Sequence, residues 1–544
     1  MACSYRTLYV TPADASKMFD RSRLEAAYSK AREDLLSQRN RAGHWVGRLC
    51  SSPLSTATAL SALVLAEQHC RRANKKYVPE NAYQGDLSEQ IVQSLNWLAD
   101  QQNEDGGWGD TDRSLSNIAT TMLVHATFSL TGVPARRGNL LERAEAYIKK
   151  QGGIRGLRRR YGRDKTFAVP ILTNCALAET VHWRQVSQLP FELACLPQSW
   201  YRLLRLPVVS YAIPALVAIG QSVFYHRRSL NPITWFIRKR ACEPSLKVLE
   251  KMQPESGGFL EAVPLTSFVV MSLASIGQAD SRVARQGVEF LLSTMRSDGS
   301  WPIDSNLATW NTTLALNALA SAGEEISSLD CLDWVLECQH REVHPFTGAE
   351  PGGWAWTDLS GGVPDVDDTS GALLTLKTHW LATDDDAQKT LIVERAAQGA
   401  KWLLSLQNSD GGWPTFCRGW GKLPFDRSGC DLTAHAIRAL LAWRNEVSPP
   451  EREPAYGHEI DDAVARGFAF LSEQQRGDGS WLPLWFGNQH GDSEENPIYG
   501  TAKVLLAYRD AQRLDDAAAR AAIASAGVPA EGIVAVVDAA MVEA

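Results

Sequence analysis

A chain of 544 residues with 44% hydrophobic and 22% charged side chains is globular and long enough for two or more domains, each with a core. Its net charge of −7 gives no reason to expect nucleic acid as a partner. The 10 cysteines include no Cys-x-x-Cys pair, so neither a zinc site nor a disulfide framework is indicated. The N-terminus, Met1-Ala2-Cys3-Ser4-Tyr5-Arg6, lacks an apolar signal core, which favours the cytoplasm.

The 18 tryptophans are explained by an internal repeat. In chain order, a diverged copy runs from Gln38 to Gly43-His44-Trp45, then Gln102 leads to Asp105-Gly106-Gly107-Trp108. Looser copies are Gln253 to Gly257-Gly258-Phe259, Arg296 to Asp298-Gly299-Ser300-Trp301, and Gly352-Gly353-Trp354. Gln407 to Asp410-Gly411-Gly412-Trp413 and Gln475 to Asp478-Gly479-Ser480-Trp481 complete the series. Recurrence at tens of residues signals stacked supersecondary units. Helical patterns lie before and after each copy, such as 400–406 and 432–441. The Asp-Gly-Gly element suits a tight turn needing positive φ, which ends one helix and starts the next. The Trp can cover that junction and the Gln can hydrogen-bond across it. Each unit reads as a helix pair, and a closed ring of pairs is an α/α barrel.

Between the copies lie segments with chemistry of their own. Leu206 to Ile219 is the most apolar stretch, but two prolines and 14 residues are too broken and short to span a bilayer. Its flanking Arg202, Arg205, Arg227 and Arg228 suit an interfacial element, and a buried core helix fits the same residues. Asp365-Val366-Asp367-Asp368-Thr369 crowds three carboxylates into four positions before the apolar Ala372-Leu373-Leu374. Such charges repel, so at least one carboxyl is expected to keep its proton at neutral pH. Kept protonated in an apolar cavity, it could donate to a very weak base; alone, the pentapeptide reads as a solvated acidic loop. Asp384-Asp385-Asp386-Ala387-Gln388 lacks the Asp-Asp-x-x-Asp spacing that holds magnesium. Asp431-Leu432-Thr433-Ala434-His435 sets an acid and a histidine four residues apart, on one side of a helix.

The Gln-x-x-x-Gly-x-Trp repeats together with Asp365 to Thr369 resemble the squalene-hopene cyclase family of class II terpene cyclases. The similarity runs from about Gly43-His44-Trp45-Val46-Gly47 to about Tyr499-Gly500-Thr501. The resemblance implies an all-α fold of two α/α barrels, one inserted into the other. Residues 1–42 would join the catalytic barrel, 43–300 would form the inserted barrel, and 301–544 the catalytic barrel carrying the acid. It implies an intramolecular cyclase, an isomerase that protonates a terminal alkene of squalene and runs the cation through ring closures to a hopene-like product. It implies no metal or organic cofactor. Asp367 would be the proton donor, with Asp365 and Asp368 as partners. His435, in the motif with Asp431, would be the positive neighbour that strengthens the acid, and Tyr499 would help return a proton. Trp310, Trp356, Phe416 and Trp485 stand where the family places aromatics that stabilise cations, with plain core packing as the alternative for each. The family is monotopic, so a membrane lipid surface and peripheral attachment on the cytoplasmic side are expected, and a homodimer is compatible with it.

Three departures bear on the product. Asn311 follows Trp310 where the family has Asp. A polar run from Phe486 to Pro497 replaces a shorter connection. No aromatic residue follows Tyr508, and the chain closes in an alanine-rich tail, so the catalytic barrel is expected either to close differently or to lack a last segment. Two rivals remain. A class II cyclase of a prenyl diphosphate would use the same acid and a cationic site, for which Arg155, Arg158, Arg159, Arg160, Arg163 and Lys165 are available. A barrel that binds an isoprenoid without converting it is the other.

Overall fold

The computed structural model describes residues 20–47, 49–72, 87–132, 139–162, 165–197, 200, 210–227, 230–345, 347–416, 425–447, 455–491 and 493–513. Among these, the chain is all-α, and its only extended pairings are four isolated bridges. In chain order the α-helices are α1 (Arg21–Ser37), α2 (Pro53–Arg72), α3 (Ser88–Asp100), α4 (Ile118–Thr131), α5 (Leu140–Lys150) and α6 (Gly153–Tyr161). Then follow α7 (Lys165–Leu177), α8 (Ile213–His226), α9 (Pro232–Met252), α10 (Val263–Ser275), α11 (Arg282–Thr294) and α12 (Ala308–Ser321). The last are α13 (Leu332–Glu337), α14 (Val366–Ala382), α15 (Asp386–Leu406), α16 (Cys430–Trp443), α17 (Ala455–Gln474) and α18 (Pro497–Gln512).

Sequence pattern sorts these helices into two layers. Helix α4 is buried along almost its whole length, Ile118 to Val124 and Ala126 to Phe128, whereas α11 buries only the stripe Val283, Ala284, Gly287, Val288, Phe290 and Leu291. A helix apolar all round belongs inside, and an amphipathic one covers it. Inner helices α2, α4, α7, α8 and α10 pack in succession, and α10 returns against α2 to close a ring. Inner helices α12, α14, α16 and α18 pack in succession to form the second set. Helix α1 belongs to this second set: Arg32 forks onto Glu324, and Trp45 Nε1 donates to the Leu35 carbonyl at 2.7 Å. From α1 the described chain therefore begins against the second set, builds the closed ring, and returns to the second set. The alanine-rich tail from residue 514 lies outside the described residues.

The repeat is one device used seven times. Its glycines Gly43, Gly106, Gly257, Gly299, Gly352, Gly411 and Gly479 all have positive φ. The indole N–H of Trp108, Trp301, Trp413 and Trp481 donates to a carbonyl ten residues earlier, at 2.6–2.8 Å. The backbone N–H after each turn donates to a threonine hydroxyl of the next inner helix, as Trp354 does to Thr369 at 2.9 Å. Gln102, Gln253 and Gln407 each bridge the turn carbonyl and a carbonyl of the following outer helix or the residue before it, as expected. Two copies differ from the sequence reading. In the first, Arg39 and not Gln38 reaches the Gly43 carbonyl, at 2.9 Å, because position 39 has the right spacing from Trp45. In the copy ending at Trp354 the bridging amide is Gln339, far upstream, donating to Gly352 at 2.8 Å and to Arg395 at 3.0 Å.

The apolar stretch starting at Leu206 divides. Residues 206–209, with Arg202, Arg205 and Arg228, lie outside the described residues. Ile213 to Ile219 form the start of inner helix α8, with Ile213, Val217, Ala218 and Ile219 fully buried, so this part is core and not interface. Among the described residues no helix is long and apolar enough to cross a membrane. A third apolar cluster joins the ring to the second set, setting Tyr211, Leu216, Val217, Leu249, Phe259 and Val269 against Val363 and Phe416.

Candidate active site

Helix α14 begins where it does because Asp365 caps it. Its backbone is extended, its N–H donates to the Trp354 carbonyl at 3.0 Å, and its Oδ1 accepts from Asp368 N at 2.9 Å. The cap places Asp367 in the first turn, facing the neighbouring inner helices. His435 Nδ1 of α16 lies 2.6 Å from Asp367 Oδ1, and Trp310 Nε1 of α12 donates to Asp367 Oδ2 at 3.2 Å. Three consecutive inner helices thus converge on one carboxyl, whose side chain keeps 14% exposure against 5% for His435.

Electrostatics divide the carboxyls into two kinds. Burial alone would raise Asp367, but the charge and hydrogen bond of His435, then Lys503 and the Trp310 N–H, outweigh it and hold the carboxyl well below the usual range. Burial, and after it the Lys503 ammonium, draw His435 down to about 4. Both shifts favour proton loss, so Asp367 rests as a carboxylate beside a neutral imidazole and, once protonated, gives its proton up readily. Asp365 is pushed up to about 7 by burial, with the Asp367 charge adding to it, and Asp368 rises further through burial and Asp365. These two flank the donor as a pair sharing one proton, with a single negative charge between them.

Asp431 and His435 lie on one helix as expected, but Asp431 does different work. Its Oδ1 accepts from Leu484 N at 3.0 Å, tying the segment after Trp481 to α16, and burial and the Asp367 charge raise it to about 6. Tyr499 of α18 lies in the same field: burial first, then Asp367 and Asp431, keep its phenol protonated. Lys503, one turn later, holds its ammonium 5.5 Å from the Tyr499 ring. The sequence reading passed over this lysine, although its spacing from Tyr499 sets both on one helix face.

The four expected aromatics fall into two groups. Trp310 stands at the acid, its ring stacked on Phe486 at 5.9 Å. Phe416 and Trp485 stack on Phe425 at 4.9 Å and 4.5 Å, and Trp356 joins them 6.3 Å from Phe416. Tyr211 adds its ring from the other half of the chain, 5.4 Å from Phe416. Thr415 links this cluster to the acid, accepting from Trp485 Nε1 at 2.7 Å while its carbonyl accepts from Val366 N at 2.9 Å. Phe425 and Tyr211 stand in no motif, and only the fold reveals them. The arrangement sets a carboxyl that gives up a proton readily beside aromatic faces, which suits generating and guiding a carbocation.

The arginine face proposed for a diphosphate is largely a solvated surface on α6. Arg160 pairs with Glu494 at 2.9 Å, Arg158 donates to the Gln185 carbonyl at 2.8 Å, and Arg163 lies outside the described residues. The acidic run at Asp384 is a helix cap, with Asp385 accepting from Ala387 N at 2.9 Å.

Comparison with known proteins gives a consistent result. Residues 28–228 match the squalene-hopene cyclase N-terminal domain, and residues 306–527 match the C-terminal domain. Residues 203–342 match the prenyltransferase alpha-alpha toroid domain. The chain is 25% identical to enfumafungin synthase of Hormonema carpetanum, a match over 85% of this chain and 38% of that relative's length. It is 23% identical to a squalene–hopene cyclase of Bradyrhizobium diazoefficiens, over 91% of this chain and 78% of that one. Among solved structures it is similar to the type II terpene cyclase MstE from Scytonema, 13% identical, with a TM-score of 0.24, covering 94% of this chain and all of that one.

Proposed function

The chain belongs to the squalene-hopene cyclase family of class II terpene cyclases, and from that premise we propose that it cyclises squalene to a hopene-like polycyclic triterpene. The observation that carries the reading is Asp367, held between His435 and Trp310 where three inner helices converge. The terminal alkene takes the proton from Asp367, leaving a carboxylate held by the His435 ring nitrogen and the Trp310 N–H. The tertiary cation is attacked by successive alkenes of the same chain, each closure forming one carbon–carbon bond and moving the charge onward. Trp310 faces the first cation, while Trp356, Phe416 and Trp485 serve the later ones through cation–π attraction, about 0.5–2 kcal/mol each and more when desolvated. Loss of a proton, or capture of water, ends the cascade. Asp367 then regains a proton through the His435 and Tyr499 side of the site. Asp365 and Asp368, sharing a proton, spare Asp367 a second neighbouring negative charge.

Peripheral membrane attachment on the cytoplasmic side belongs to the same proposal, since a hydrocarbon substrate has no useful aqueous concentration. The support is an apolar patch at the start of α9, where Leu230, Ile233, Trp235, Phe236 and Ile237 are exposed. Lys239 lies 4.8 Å from the Trp235 ring and Arg240 lies 5.0 Å from Phe236, a basic edge suited to anionic headgroups.

The test offers the detergent-solubilised protein squalene and, separately, geranylgeranyl diphosphate, with products analysed by gas chromatography–mass spectrometry. A polycycle of unchanged mass, or its hydrate, from squalene supports the proposal. A bicyclic diphosphate from the second substrate replaces it with the diterpene reading. No product from either, with folded helical protein, leaves an isoprenoid-binding barrel.

A further inference from the structure

The polar run after Trp485 carries an aromatic side chain into the acid site. Phe486 is half-buried, its ring stacked on Trp310 at 5.9 Å and 10° and set against Tyr499 at 4.9 Å. Trp310 itself donates to Asp367, so Phe486 lies one ring away from the donor carboxyl. The segment that delivers it is fixed from the opposite ring. Ser114 Oγ donates to Gln489 Oε1 at 2.6 Å, Leu115 N donates to the Gln489 carbonyl at 3.4 Å, and Glu494 accepts from Arg160 at 2.9 Å. Within the segment, Asn488 N donates to the Glu494 carbonyl at 2.9 Å, and a side chain at Gly487 would meet that same carbonyl at 2.7 Å.

We propose that Phe486, held by this inter-ring clamp, contacts the first carbocation and sets which folded substrate the acid can reach. The proposal rests on the cyclase reading above. Trp310, Phe486 and Tyr499 form a continuous aromatic wall on the face from which Asp367 delivers its proton. A cation formed there meets two π faces instead of one, and the ring bulk fixes where the terminal alkene sits.

The test compares Phe486→Leu, which keeps the apolar bulk and removes the π face, with Phe486→Tyr, which keeps both. Phe486→Leu should lower kcat on squalene about 3- to 30-fold, with KM little changed and more early-terminated product, while Phe486→Tyr stays near the parent. A second readout needs no turnover: dodecyltrimethylammonium bromide, a stable cation on an apolar chain, is titrated below its micelle threshold and followed by tryptophan fluorescence. Phe486→Leu should weaken its binding by a similar factor. Leucine and parent proteins that bind this cation equally well would overturn the proposal, whatever the outcome with squalene. If the parent leaves squalene untouched but binds the cation through Phe486, the cyclase reading fails while the cation contact stands.

Discussion

Asp367 and His435 sit 2.6 Å apart, and the cation that tunes both is Lys503. Removing the carboxylic proton without removing the side chain is the direct test. Asp367→Asn should fold normally, with an unchanged melting temperature, and lose turnover by about a thousandfold or more. Lys503→Met probes the tuning. Lys503 draws both Asp367 and His435 down, so its loss raises both and the pair keeps its proton to higher pH. The alkaline limb of the pH–rate profile should therefore move up, while the weaker acid lowers kcat by roughly tenfold. An unchanged limb and rate would show that the ammonium does not act on the acid. The Asp365 to Thr369 motif was legible because it is local, whereas Lys503 carries no motif and gains its meaning only when α18 packs against α16.

The repeat turns teach a related lesson about burial. Gln407 and Gln475 occupy the same place in the motif, yet Gln407 is buried and bridges Gly411 and Ala463, while Gln475 is exposed and, among the described residues, reaches only Gly479. Gln407→Leu strips the buried Gly411 carbonyl of its side-chain donor and Arg466 of its acceptor and should cost about 2 kcal/mol, but Gln475→Leu should stay within about 0.5 kcal/mol. Scanning calorimetry of the two variants measures the contrast, and equal losses would refute the assigned role of burial. The turn glycines were readable because a positive φ leaves a compositional mark. The substitution of Arg39 for glutamine, and the distant Gln339, were not, because a hydrogen bond to a backbone carbonyl can be met by any donor that reaches it. Phe425 and Tyr211 escaped for the same kind of reason: Tyr211 meets Phe416 and Phe425 across more than 200 residues, a distance no window on the sequence can cross.

Among the described residues, the first ring exposes a run of apolar side chains at the start of α9. Ile233 and Phe236 are 69% and 53% exposed, so changing both to serine should cost little stability. The same change should weaken binding to phosphatidylglycerol-containing vesicles by about tenfold, measured by co-sedimentation. Undiminished sedimentation would mean that the protein meets lipid elsewhere, or not at all.

The first ring is entered and left at one seam. Ser51 and Ser300 hydroxyls lie 2.7 Å apart, Ser52 N donates to the Trp301 carbonyl at 2.9 Å, and Trp301 N donates to Thr56 at 3.0 Å. A linear stack of helix pairs frays from its free ends, but a ring stitched shut has none. Its inner amides would exchange with solvent only when the whole ring opens, which makes it a rigid wall against which Tyr211 and the Ser114 anchor hold their partners in the second set.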